Sequence, residues 1–277
     1  MLKFAVASAL IFCSTTAFAA SQEIAYVKVG GKSQEVYLIH SNGTGAIKVY
    51  TAAAKKSIAA LDFKPSGEEI AIVELGSPLR IVGLSDNGTP TAPREITTPC
   101  QVHAVDYHPT ESRLLLAVGC HGSSHVATMD ANGENYKIVA SGIYLNAPRW
   151  LSDGQSFAYL RAVEETTSFE LRVSRSSVES VVAVVNAGSW MDVSYQGNVA
   201  LVTDNNSNVE KFNLDDASQP RETVVRGTDA HFAADGSRFI YETPHAAKGN
   251  HLYIYRPDGA PWALTTKGDY GPRDWRK

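Results

Sequence analysis

The sequence predicts an all-β chain folded as a six-bladed β-propeller, with four antiparallel strands in each blade. Three observations carry this. A strand–turn–strand motif recurs about every 43 residues. A second hairpin follows most copies. The C-terminus supplies a strand that the N-terminus lacks.

Leu61-Asp62-Phe63-Lys64-Pro65-Ser66-Gly67 runs into Ile70-Ala71-Ile72, the first copy of the motif. Val105-Asp106-Tyr107-His108-Pro109 runs into Leu114-Leu115-Leu116, and Arg149-Trp150-Leu151-Ser152-Asp153-Gly154 into Phe157-Ala158-Tyr159. Met191-Asp192-Val193-Ser194-Tyr195-Gln196-Gly197 with Val199-Ala200-Leu201 is the weakest copy, and His231-Phe232-Ala233-Ala234-Asp235-Gly236 with Phe239-Ile240-Tyr241 the last. The anchors Phe63, Tyr107, Trp150, Val193 and Phe232 are spaced by 44, 43, 43 and 39 residues. An Asp-Gly or Ser-Gly corner suits a tight turn, and the apolar run after it is rich in strand formers.

The second hairpins are marked by Val36-Tyr37-Leu38-Ile39 before Asn42-Gly43, Val126-Ala127-Thr128-Met129 before Asn132-Gly133, and Leu252-Tyr253-Ile254-Tyr255 before Asp258-Gly259. Four strands in about 43 residues is the content of one propeller blade. Helical periodicity is missing almost everywhere. Ile24-Ala25-Tyr26-Val27 reads as a second strand without a first, while Trp275 lies 43 residues after Phe232, on the repeat register. The strand around Gly271-Pro272-Arg273-Asp274-Trp275 is therefore expected to complete blade one and close the ring, hiding a sheet edge.

The N-terminus reads as an export signal. Lys3 precedes the apolar run Phe4 to Phe12, and Ala17-Phe18-Ala19 places small residues where a signal peptidase reads. Cleavage after Ala19 divides the chain into a leader, 1–19, and a single domain, 20–277. Losing Lys3 takes the net charge from −4 to −5. A mildly acidic chain with scattered charges has no basic footprint for nucleic acid or for a membrane surface, and no later apolar run is long enough to span a bilayer.

The blade pattern, an aromatic followed by Ser-Asp-Gly or Pro-Ser-Gly and a short apolar strand, resembles the propeller of the TolB family over residues 21–277. That resemblance implies a periplasmic ring that docks partner proteins of the bacterial envelope. TolB itself carries in addition an N-terminal α/β domain, for which these residues leave no room. Fold similarity does not by itself transmit function.

The residue before each anchor is polar in every unit: Asp62, Asp106, Arg149, Asp192, His231 and Asp274. On the innermost strands these six would ring the channel axis, as a site for a cation or for a basic or hydroxyl-rich ligand. A structural reading stands beside it: strand-start carboxylates accept backbone N–H bonds or pair with an Arg between blades. The loops that share one face, 118–124, 161–168, 204–208 and 242–251, carry His121, His125, Glu164, Glu165, Asp204, His245 and His251, a second candidate surface for a partner. Cys120, His121 and His125, with Cys100 and His103, hold zinc-type ligands.

In an exported chain Cys100 and Cys120 are instead expected to pair, because they flank the first hairpin of blade three at similar offsets and fall at neighbouring strand ends. Two buried thiols are the alternative. Catalytic nucleophile and phosphate-loop motifs are missing, since Gly154-Gln155-Ser156 lies inside a blade hairpin. The main expectation is a non-catalytic scaffold of the cell envelope that binds a protein or peptide, with no cofactor and no resident metal. The alternative is a metal-dependent carbohydrate (uronate) lyase or hydrolase on a propeller scaffold, with Gln101, His103, His231 and His245 as eligible groups.

Overall fold

A computed structural model describes residues 23–30, 32–85, 88–243, 251–265 and 269–275. The expected leader and His245 lie outside these residues. Blade one holds β1 (Ile24–Val29), β2 (Glu35–Ile39) and β3 (Ile47–Thr51). Blade two is β4 (Ile58–Phe63), β5 (Glu69–Glu74), β6 (Leu79–Gly83) and β7 (Arg94–Ile96). Blade three is β8 (Gln101–Tyr107), β9 (Arg113–Cys120), β10 (Ser123–Asp130) and β11 (Lys137–Gly142). Blade four is β12 (Leu145–Trp150), β13 (Phe157–Ala162), β14 (Phe169–Arg175) and β15 (Val178–Val185). Blade five is β16 (Ala187–Val193), β17 (Val199–Asp204), β18 (Asn208–Asn213) and β19 (Glu222–Arg226). Blade six is β20 (Thr228–Phe232), β21 (Phe239–Thr243), β22 (His251–Tyr255) and β23 (Trp262–Ala263). The last strand, β24 (Asp269–Trp275), joins blade one as its innermost strand, in the order β24-β1-β2-β3. All six sheets are four-stranded and antiparallel, as the repeat predicts.

The corners form as their residues dictate. Gly67, Gly154, Gly197 and Gly236 each take a positive φ between 63° and 76° after the anchor strands, where a side chain would be disfavoured. Blade three has no glycine at that corner. There His108 Nδ1 accepts the N–H groups of Thr110 and Glu111 at 3.2 and 2.9 Å, so its proton sits on Nε2, which donates to the Gly154 carbonyl at 2.7 Å. One imidazole thus replaces a glycine and links two neighbouring corners.

The core has no single centre. Six apolar layers lie one at each blade junction, because a sheet hydrophobic on both faces must bury both. Val36 and Leu38 of blade one meet Ile70 and Val82 of blade two. Ala71 and Ile81 meet Val105 and Leu116 across the next junction. Leu115 and Val126 face Trp150 and Phe157, and Leu171 and Val173 face Ala200 and Val202. Leu201 packs on Phe232 and Phe239, and Ile240 and Ile254 pack on Ile24 and Trp275, which closes the circle.

Closure is reinforced by charge. Arg273, fully buried on β24, donates through Nη2 to Glu242 Oε2 at 2.6 Å and lies 3.4 Å from Asp229 Oδ2, both on blade six. On its other side Asp274 Oδ2 accepts the Phe63 N–H of blade two at 2.8 Å. One strand therefore bolts blade six to blade one and blade one to blade two. Deleting residues 269–277 is expected to abolish cooperative unfolding in urea, whereas Trp275→Ala costs about 3–5 kcal/mol, a large part of a total of about 5–15 kcal/mol. Unchanged urea midpoints for both variants would contradict the closure.

Cys100 and Cys120 form a disulfide with Cα atoms 5.1 Å apart. It joins the entry to β8 to the end of β9, next to the paired residues Gln101 and Gly119. Closing a loop with a sequence separation of 20 contributes about 3 kcal/mol in the chain-entropy model. Cys120→Ser is expected to lower the denaturation free energy by that amount under oxidising conditions and to leave the reduced protein unaffected, as read by urea unfolding with and without reductant.

Candidate functional site

The six polar residues before the anchors form a belt between blades. Asp62 Oδ2 accepts the Tyr107 N–H at 2.7 Å, and Asp106 Oδ2 the Trp150 N–H at 2.7 Å. Asp192 Oδ2 accepts the Phe232 N–H at 2.8 Å, and Asp274 serves Phe63 in the same way. In each case the carboxylate of one blade holds the backbone of the next anchor. Innermost strands have an edge with no strand partner, and a buried N–H left without an acceptor is costly. Two positions depart from aspartate, and both face an aspartate instead. Arg149 Nε donates to Asp192 Oδ1 at 2.7 Å and lies 3.8 Å from Asp106 Oδ1, while Nη1 donates to the Pro148 carbonyl at 3.1 Å. His231 Nδ1 lies 4.0 Å from Asp274 Oδ1. All six side chains are buried. Burial works against the Arg149 charge, yet Asp192 and Asp106 beside it hold its pKa above the ordinary value.

The loop-face residues are scattered. His121 is exposed at a left-handed turn position (φ 47°) between β9 and β10. His125 is half-buried, with Nδ1 2.8 Å from Ser141 Oγ. Glu164 and Glu165 are exposed between β13 and β14. His251 is buried, with Nδ1 3.3 Å from the Thr265 carbonyl. Asp204 caps its own loop, accepting the N–H groups of Asn206 and Asn208 at 2.8 and 2.7 Å. Gln101 and His103 are exposed on β8, and burial of part of the ring lowers the His103 pKa. Because Cys100 and Cys120 are bonded to each other, neither offers a thiolate to a metal. Among the described residues no three His, Cys, Asp or Glu side chains converge as metal ligands. No helix of the described residues is long and apolar enough to cross a membrane.

A concave site does form on this face, beside the channel mouth. Each innermost strand breaks register just before its anchor: between Val102 and Ala104, between Asn146 and Arg149, and between Ala187 and Met191 in blades three to five. Such bulges re-aim side chains. They bring His103, Asn146 and Trp190, from three successive blades, to the wall of one cleft of about 380 Å³. Leu75 at the β5–β6 turn, Ile143 and Tyr144 between blades three and four, and Leu145 at the start of β12 complete it. The rim is apolar and open: Leu75 is 36% exposed, Tyr144 45% and Ile143 61%. The Tyr144 ring is propped edge-on by Phe169, 5.8 Å between centroids. Lys56 Nζ fixes the Leu75 turn by donating to the Gly76 carbonyl at 2.9 Å. Gly119, Gly122 and Ser123 form the remaining wall, and the disulfide anchors the strand that carries them.

Sequence reasoning named His103 and the 118–124 loop that carries Gly119, Gly122 and Ser123, but missed Leu75, Ile143, Tyr144 and Trp190. Ile143-Tyr144, an apolar pair in a connection where polar residues are the norm, was the available signal. Trp190 had none, since its place depends on the irregular start of β16.

Asp229 stands at the mouth on the blade-six side. It holds a left-handed conformation (φ 51°), its N–H donates to Thr203 Oγ1 at 3.0 Å, and its carboxylate faces Arg273 and Glu242. Burial pushes its pKa up to about 6, Arg273 opposes the shift and Glu242 adds to it. A carboxyl raised above its unfolded value makes the folded state less stable once ionised, so the penalty is absent below about pH 4 and complete above about pH 6. Asp229→Asn keeps a residue that tolerates this φ and removes the charge. It is expected to stabilise the protein at pH 8 by up to about 3 kcal/mol, with the gain vanishing at pH 4, as read by denaturation across that range.

No protein family and no curated protein matches the chain by sequence. In three dimensions the chain is similar to TolB from Acinetobacter baumannii, at 17% identity with a TM-score of 0.75, over 92% of this chain and 66% of that one. It thus spans just under two thirds of that protein. A protein assigned as TolB from Agrobacterium tumefaciens superposes at 15% identity with a TM-score of 0.67, over 90% of both chains. An oligogalacturonate lyase in complex with manganese superposes at 10% identity and 0.54, over 81% of this chain and 83% of that one. The fold is that of a TolB-like six-bladed β-propeller.

Proposed function

We propose that the protein is an exported, non-catalytic scaffold of the bacterial cell envelope, in the periplasm or secreted, which binds a protein or peptide through the loop face of the ring. On this reading residues 1–19 are the cleaved leader and 20–277 the working domain. The carrying observation is the cleft framed by Leu75, Ile143, Tyr144 and Trp190. Exposed apolar side chains grouped around a concavity mark an interaction surface, whereas the same residues scattered singly would not. The disulfide suits an oxidising compartment and stiffens one wall, which lowers the ordering cost of binding.

The second reading is a metal-dependent uronate lyase, supported by the likeness in fold to the lyase that carries manganese. Of its eligible groups Gln101 and His103 reach the surface of the loop face, and His231 lies within the belt, 6.3 Å from the Trp190 ring between centroids.

Envelope extract passed over the immobilised mature protein, beside a Tyr144→Ala/Ile143→Ser variant, separates the readings. The scaffold is expected to retain a discrete partner, and the variant to lose at least about tenfold in affinity, the size of a hot-spot contribution, with unchanged melting. Equal retention by both forms overturns the site. Manganese-dependent release of unsaturated uronates from polygalacturonate would establish the rival.

A further inference from the structure

A second concave site lies at the opposite end of blades three and four, away from the cleft. It is a groove of about 690 Å³, within the usual range for small-molecule sites. Trp150 and Phe157 present apolar edges to it and Ile138, 43% exposed on the outer strand β11, supplies a flank. Half-buried Val139 lies beside them, and the rest of the lining is polar. We propose that this groove binds a neutral saccharide of two or three units.

Charge narrows the ligand class. The lining contains two bases, Arg113 and Lys137, and two acids, Asp130 and Glu179. Most of that charge is engaged locally. Arg113 lies 3.3 Å from Glu111 and 3.8 Å from Asp130, Asn135 Nδ2 donates to Asp130 at 2.6 Å, and Glu179 accepts from Arg172 at 2.9 Å. The lining as a whole carries no net charge, two bases against two acids. What remains available is hydrogen-bonding capacity. Lys137 and Gln155 project from opposite walls, and neither side chain has a hydrogen-bond partner among the described residues. Hydroxyl groups both donate and accept, so a polyol can meet ammonium, amide and carboxylate together. The C–H faces of a sugar ring suit the Ile138 and Phe157 edges.

Backbone conformation adds an independent observation. The β14–β15 turn is closed by Ser176 and Ser177, at φ 50° and 65°. Two-residue turns of this kind favour Asn-Gly, because both residues must be left-handed. Serine holds the place at a conformational cost, and Ser177 lines the groove. Residues kept in disfavoured conformations cluster at functional sites.

The test titrates the protein with cellotriose, maltotriose and chitotriose, with trigalacturonate as the charged control, read by saturation-transfer difference NMR and by calorimetry. At least one neutral trisaccharide is expected to bind, and more tightly than trigalacturonate. Gln155→Ala and Ser177→Gly are expected to weaken that binding at least about fivefold. Ser177→Gly supplies the residue the turn prefers, so its melting temperature should hold or rise while binding falls. That opposite movement separates a binding role from a structural one. The Tyr144→Ala/Ile143→Ser variant should bind the sugar unchanged. No binding by any neutral sugar, tighter binding of trigalacturonate, or binding indifferent to both groove variants would each overturn the proposal.

Discussion

The fold depends on one repeated contact: the carboxylate of one blade accepting the anchor N–H of the next. A ring of separate sheets has a weakness that a single sheet lacks, because no ladder hydrogen bond crosses from blade to blade. Apolar packing at the junctions is strong but non-directional, and it tolerates sliding. Asp62, Asp106, Asp192 and Asp274 add direction. Each sets the height and tilt of the next innermost strand, and so of the loops that strand carries. Where aspartate is replaced, by Arg149 and His231, the substitute turns toward a neighbouring aspartate, and the belt keeps a polar contact at every junction.

The belt and the cleft are linked through the bulges. The anchors are held at one level by the carboxylates, while the strand just before each anchor loses register. The displaced residues are then free to differ between blades. Ala59, His103, Asn146 and Trp190 occupy comparable places in blades two to five, and all line the cleft. A constant frame thereby presents a variable surface, which is how one architecture carries different binding sites.

The closing strand shows the same division between repeated and particular features. Asp274 repeats the belt contact, whereas Arg273 is peculiar to this junction and inserts a buried cation between blades six and one. Glu242 and Asp229 offset that cation, and the cost of burying them together appears in the raised pKa of Asp229. A buried cluster of one cation and two carboxylates thus lies at the junction where the two ends of the chain meet.

Strand content, blade number, closure and the cysteine pairing were legible in the sequence, because each rests on periodicity or on strand ends only about 20 residues apart. The polar residue before each anchor was legible as a pattern, and the sequence left open whether it served a channel ligand or the frame. The cleft was legible only through His103 and the 118–124 loop. Its walls come from residues more than 100 positions apart, Ala59 to Trp190, and from bulges that break the alternation by which strand faces are read. Nor could the groove between blades three and four be foreseen, since it lies between sheets rather than within a repeat. The sequence by itself determined the blades, because a blade is built from local alternation and turns. Only the tertiary structure decided the surfaces between them, because those depend on how one blade is tilted against the next.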